Sequence, residues 1–90
     1  MLEKEIENYL CWVVEMRGGK AWKWVSPSQR GVADRIVVLP GGTIWMIELK
    51  SPTGKRSKLQ VEFAAKVAML GVNYACLGTK SEVDGWALSL

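Results

Sequence analysis

The chain reads as an α/β domain with a mixed central sheet flanked by helices, and three observations predict that class. Residues 31–50, GVADRIVVLPGGTIWMIELK, hold two runs of β-branched and apolar residues on either side of Pro40-Gly41-Gly42, the composition of a β-hairpin. Apolar residues at helical spacing fill residues 2–17 before it and residues 59–70 after it. The resulting order of helix, three strands, helix, then one or two strands layers helices on a sheet with the hairpin in its middle.

In the first helix the apolar stripe is Leu2, Ile6, Tyr9 with Leu10, Val13 and Met16, and Gly18-Gly19 ends it. Residues 20–25, KAWKWV, form a short strand in which Trp22 and Trp24 alternate with Ala21 and Lys23, so the tryptophan side is predicted to face the core. A polar loop from Ser26 to Gly31 leads into the hairpin, whose strands run from Arg35 to Leu39 and from Thr43 to Leu49. In the second of these, Ile44 and Met46 share a face with Glu48, and Trp45, Ile47 and Leu49 make the other face. Apolar residues on both faces predict a central strand that turns polar on one side only at its end. Ser57-Lys58-Leu59-Gln60 fits a capping box that opens the second helix, with Leu59, Phe63, Val67 and Leu70 as its apolar face and Gly71 as its stop. Residues 73–78 are predicted as a strand, Ser81 to Gly85 as a turn or helical turn, and Trp86 to Leu90 as a final edge strand.

Ninety residues make one domain, 1–90, with a modest core, for which a second copy of the chain is a ready source of further buried surface. No run approaches the ~18 apolar residues of a membrane span, and no basic start leads into an apolar segment, so a cytoplasmic location is predicted. Cys11 and Cys76 lie singly in apolar runs and are predicted to be buried free thiols. The absence of histidine removes Ser-His-Asp and His-zinc chemistry and leaves carboxylates and lysine as the reactive groups. The net charge of +3 permits a polyanionic partner.

Those reactive groups converge on the hairpin. If its loop is the three residues Pro40, Gly41 and Gly42, Leu39 faces Thr43 and the same count places Asp34 opposite Glu48. Lys50, two residues on from Glu48, then shares their face. A loop of two or four residues would send Asp34 to the other side, because a one-residue slip reverses a whole strand. Around this cluster lie Lys23, Arg30, Arg35, Lys55, Arg56 and Lys58, candidate contacts to phosphate. The stretch SPTGKRSK after Lys50 fails the P-loop pattern at two positions, where Leu49 stands for the first glycine and Arg56 for the Ser/Thr, so no nucleotide cofactor is expected.

An E-x-K triplet alone matches often by accident, but its context does not stand alone here. Gly31-Val32-Ala33-Asp34 followed by Glu48-Leu49-Lys50 resembles the bipartite signature of the PD-(D/E)XK nuclease superfamily. Lys23, Ser26-Pro27, Arg30-Gly31-Val32, Asp34-Arg35-Ile36-Val37, Leu39-Pro40-Gly41-Gly42, Glu48-Leu49-Lys50 and Gln60 resemble its stand-alone VRR-NUC branch, common in phages and bacteria, over nearly the whole chain. One departure is Ala33, where the family usually carries proline. The resemblance implies a restriction-endonuclease-like α-β-β-β-α-β core and Mg²⁺- or Mn²⁺-dependent hydrolysis of DNA, with branched substrates such as four-way (Holliday) junctions among those of the branch. It implies Asp34, Glu48 and the Leu49 carbonyl as metal ligands and Lys50 as the catalytic cation. It also implies an N-terminal acid, Glu3 with Glu7 as the alternative, and a place for Gln60 near the site.

Members of the branch dimerise, so a homodimer is expected, with Trp12 and Trp86 to Leu90 as interface candidates because the helix stripe and central strands leave them over. The competing reading is a non-catalytic nucleic-acid-binding module in which the basic loops grip phosphate and the carboxylates are structural.

Overall fold

The computed structural model describes residues 2–51 and 53–90. Its elements are α1 (Glu3–Met16), β1 (Lys20–Lys23), β2 (Arg35–Val38), β3 (Ile44–Leu49), α2 (Lys58–Met69), β4 (Tyr74–Leu77) and α3 (Lys80–Leu88). The strands form one mixed sheet in the order β1-β2-β3-β4. The first two pairings are antiparallel, whereas β4 returns through α2 to lie parallel to β3. The predicted α/β core is therefore the observed one, with β3 central.

The hairpin has the three-residue loop. Leu39 N–H donates to Thr43 O at 2.9 Å, and every β2–β3 pair from Arg35 with Ile47 to Val38 with Ile44 keeps that count. Gly41 and Gly42 permit it, since their φ angles of 90° and 86° are ones that side chains with a Cβ rarely adopt.

One face of the sheet makes the core. Ala21, Val37, Ile47, Leu49 and Leu77 pack there against Ile6, Leu10, Val13 and Val14 of α1 and against Val83, Trp86 and Ala87 of α3. The other face carries α2, which is thinly anchored. Its one buried residue is Val67, while Phe63 meets Trp24 edge-on with ring centroids 5.7 Å apart and Tyr74 at 6.5 Å. Both predicted partners in the capping box are present, as Gln60 N–H donates to Ser57 Oγ at 3.1 Å and Ser57 N–H donates to Gln60 Oε1 at 2.8 Å.

Five expectations are corrected by this packing. Ala21, not the tryptophan side of β1, faces the core, and Trp22 is 54% exposed on the face that α2 covers only in part. Residues 86–90 do not form an edge strand, because Thr79 caps a helix by accepting from Glu82 N–H at 3.0 Å and the chain stays helical through Leu88. Trp86 is then 6% exposed and sits edge-on to Trp45 at 5.8 Å, which removes it from any candidate interface. Leu59 and Leu70 of the predicted α2 stripe are exposed, and Cys11 and Cys76 are free but only half-buried. Among the described residues no helix is long and apolar enough to cross a membrane.

The two tryptophans of the helices separate core from surface. Trp86→Ala is expected to cost about 3–5 kcal/mol through the cavity it leaves. Trp12, 55% exposed and stacked on Tyr9, is expected to cost less than about 1.5 kcal/mol on the same change. Denaturant unfolding of both variants measures the difference.

Candidate active site

β3 delivers Glu48 into the interior at the end of the strand. Glu48 is the one buried charged residue among those described, with 0% exposure. Its Oε1 accepts from the Tyr74 hydroxyl at 2.8 Å, and its Oε2 is buried with no hydrogen-bond partner. A buried acceptor left open is costly in a finished fold, so the position suits a cation.

Asp34 stands just before β2, opposite Glu48 by the hairpin count, and its N–H donates to Ile47 O at 3.1 Å. β2 ends there as a ladder, and the side chain takes over: Asp34 Oδ2 accepts from Leu49 N–H at 2.7 Å. The N–H and C=O of a strand residue point the same way, so the Leu49 carbonyl is directed to the Asp34 side as well. Lys50 follows, half-buried, with its N–H donating to Leu77 O at 3.2 Å. Among the described residues the ion pairs are Lys20 with Glu15 and Arg35 with Glu7, so Lys50 is not bound up with Glu48.

The electrostatics favour an added positive charge. Burial pushes the Glu48 carboxyl above its ordinary value; the Tyr74 hydrogen bond and Arg56 oppose this, and Asp34 and Glu3 add to it. Burial likewise raises Asp34, opposed by the Leu49 N–H, supported by Glu7, and opposed again by Lys23 and Arg35. Glu3 is raised by burial first and then by the charges of Asp34 and Glu7.

The two acids of α1 have different surroundings. Glu7 Oε2 accepts from Arg35 Nε at 2.8 Å, and Arg35 Nη1 donates to Ala21 O at 3.0 Å, so these two side chains lock α1 to the sheet. Glu3 is exposed and makes no such pair among the described residues. Among the described residues no three His, Cys, Asp or Glu side chains gather closely enough to hold a metal ion by themselves. Two carboxylates and a carbonyl match a hard ion that keeps most of its shell as water and phosphate.

Lys23, Arg30, Lys55, Arg56 and Lys58 are exposed, and each lies on a segment that leaves the carboxylate end of the sheet, whereas Arg35 is taken up by Glu7. Gly31 holds the Arg30 loop against α2, since a Cβ there would come within 2.6 Å of the Leu59 backbone. Gln60 has its carboxamide oxygen occupied by the helix cap. Depressions of about 460 and 490 Å³ lie away from these residues, at the hairpin turn and between α1 and α3. Tyr74 is the residue that sequence reasoning misses. Its contact with Glu48 depends on a parallel pairing closed through α2, and no local pattern announces it.

A mixed sheet of this order with carboxylates and a lysine at the end of its central strands fits a nuclease of the PD-(D/E)XK type. A solved structure described as "VRR_NUC domain" superposes with a TM-score of 0.87 at 27% identity over 92% of this chain and 90% of that one. The protein named "Putative nuclease p44" of Acyrthosiphon pisum secondary endosymbiont phage 1 is 44% identical over 69 residues, which are 77% of this chain and 74% of the relative. No family model matches. The chain belongs to the VRR-NUC family of nucleases.

The raised carboxyls predict an unusual stability profile. As pH rises above the ordinary values of 3.8 for Asp34 and 4.5 for Glu48, the unfolded chain releases these protons before the native protein does, so the site's contribution to stability falls with rising pH. In EDTA, Glu48→Gln is expected to melt above wild type at pH 7 and to lose that advantage at pH 4. Each ~1 kcal/mol moves Tm by about 4–8 °C in a domain of this size. Calorimetry at both pH values checks it.

Proposed function

We propose that residues 1–90 act as a single metal-dependent endodeoxyribonuclease domain, using Mg²⁺ or Mn²⁺, with branched DNA such as four-way junctions as substrate. The observation that carries the metal is the buried Glu48 Oε2 without a partner, directly across the hairpin from Asp34. Family membership supports phosphodiester hydrolysis.

In this reading Asp34, Glu48 and the Leu49 carbonyl hold the ion. When bound, a divalent ion polarises the scissile phosphate and lowers the pKa of the attacking water. Lys50 brings a point charge to the negative charge that builds on the phosphate, and its freedom from an ion pair leaves that charge available. Glu3 is the acid of α1 suited to hold a water or second ion, because Glu7 is engaged by Arg35. Lys23, Arg30, Lys55, Arg56 and Lys58 contact flanking phosphates, and Gln60 supports the site through the start of α2.

The working unit is a homodimer in the cytoplasm, two copies presenting matched sites to a substrate with its own approximate two-fold symmetry. Trp12, Leu88 and Leu90 remain as exposed apolar candidates for the contact. Light scattering at micromolar concentration is expected to give twice 10.0 kDa, and a monomer that cuts junctions symmetrically refutes the dimer.

Purified protein is expected to cut labelled four-way DNA in Mg²⁺ or Mn²⁺ and to be silent in EDTA, with linear and flap substrates as comparison. Asp34→Ala, Glu48→Ala and Lys50→Ala are each expected to lower cleavage by about a hundredfold or more while DNA binding persists. Retained metal-dependent cutting by the Asp34 or Glu48 variant refutes the site. A wild type that binds DNA and never cuts it establishes the non-catalytic module instead.

A further inference from the structure

We infer that Tyr74 is a positioning residue for the metal-binding carboxylate, its hydroxyl clamping Glu48 Oε1 so that Oε2 is the oxygen presented to the ion. The inference rests on the proposed metal site and goes beyond it by assigning a role to a residue outside the D…E-x-K motif. Tyr74 stands on β4 beside Met46 in the parallel pairing, with Cys76 beside Glu48, so its ring shares the face of the acid and its hydroxyl reaches one step along the strand. The bond is 2.8 Å. The ring is held in turn by Phe63 of α2, with centroids 6.5 Å apart and planes tilted by 59°.

A carboxylate at the end of a strand rotates about its last bond and has two equivalent oxygens. Donation from Tyr74 makes them unequal: Oε1 is occupied, and Oε2 is left buried and open. Fixing a ligand in this way is the usual task of a hydrogen bond behind a metal-binding group, and loss of such a partner typically weakens metal affinity or activity about 10–100-fold. The same contact ties α2 to the chemistry. Phe63 sets the Tyr74 ring, and the ring sets the carboxylate, which gives the thinly anchored α2 a reason to be there.

The test is Mn²⁺ affinity of the full chain, read by titration calorimetry and by the electron paramagnetic resonance signal of free Mn²⁺. Wild type, Tyr74→Phe, Glu48→Gln, the double variant and Cys76→Ala are compared, with a cooperative melt confirming that each is folded. Tyr74→Phe is expected to bind Mn²⁺ about 10–100-fold more weakly, to add nothing in the Glu48→Gln background, and to regain cleavage at raised Mn²⁺. A merely structural role does not give that recovery. Cys76→Ala, which alters the neighbouring side chain of β4, is expected to keep wild-type affinity. Affinity of Tyr74→Phe within twofold of wild type, while Glu48→Gln loses binding, overturns the role of Tyr74 alone. An equal loss in Cys76→Ala also overturns it, by assigning the effect to disturbance of the strand. Failure of wild type to bind Mn²⁺ overturns the metal site and this inference together.

Discussion

The three-residue turn at Pro40-Gly41-Gly42 governs the chemistry some distance away from it. The hydrogen bond from Leu39 N–H to Thr43 O starts a count that runs down the whole β2–β3 ladder and ends with Asp34 facing Glu48. Strand side chains alternate, so an added or deleted loop residue would turn Asp34 away from Glu48 and into the layer of α1. Two positive-φ glycines at the turn are therefore as much a condition of the site as the carboxylates are.

The site is built by placing a charge where the fold by itself does not satisfy it. Glu48 lies in the same strand as Ile47 and Leu49, which help make the core, and burial of all three follows from the central position of β3. Tyr74 meets one oxygen and nothing among the described residues meets the other. Leu49 N–H holds Asp34 in place, and the lysine that follows makes no ion pair among the described residues. Such a group of acids is costly to ionise as it stands, because burial and neighbouring negative charge both disfavour the charged form.

The two faces of the sheet are unequal. α1 and α3 seal one of them with Ile6, Leu10, Val14, Val83 and Trp86. α2 rests on the other through Phe63 and Val67, leaving Trp22 exposed. Arg35 and Glu7 belong to the sealed side, where their bond pins α1 to β2 and keeps the N-terminal acids near Asp34.

Local patterns determined a great deal here. The spacing of Ile6, Leu10 and Val13 specified α1, Pro40-Gly41-Gly42 specified the turn, and Ser57 with Gln60 specified the start of α2, because each is decided by neighbours within four residues. The placement of Asp34 opposite Glu48 was legible for the same reason, as a hairpin converts sequence distance into a register. What lies across longer loops was decided by tertiary structure alone. Which side of β1 is buried depended on where α1 and α3 dock, and Trp86 became core only when α3 folded onto Trp45. Arg35 was claimed by an acid on another element, and Tyr74 reached Glu48 through a parallel pairing that α2 must close first. Periodicity reports that a face is apolar or a residue charged; only packing assigns the partner, because a partner is set by proximity in space and not by spacing along the chain.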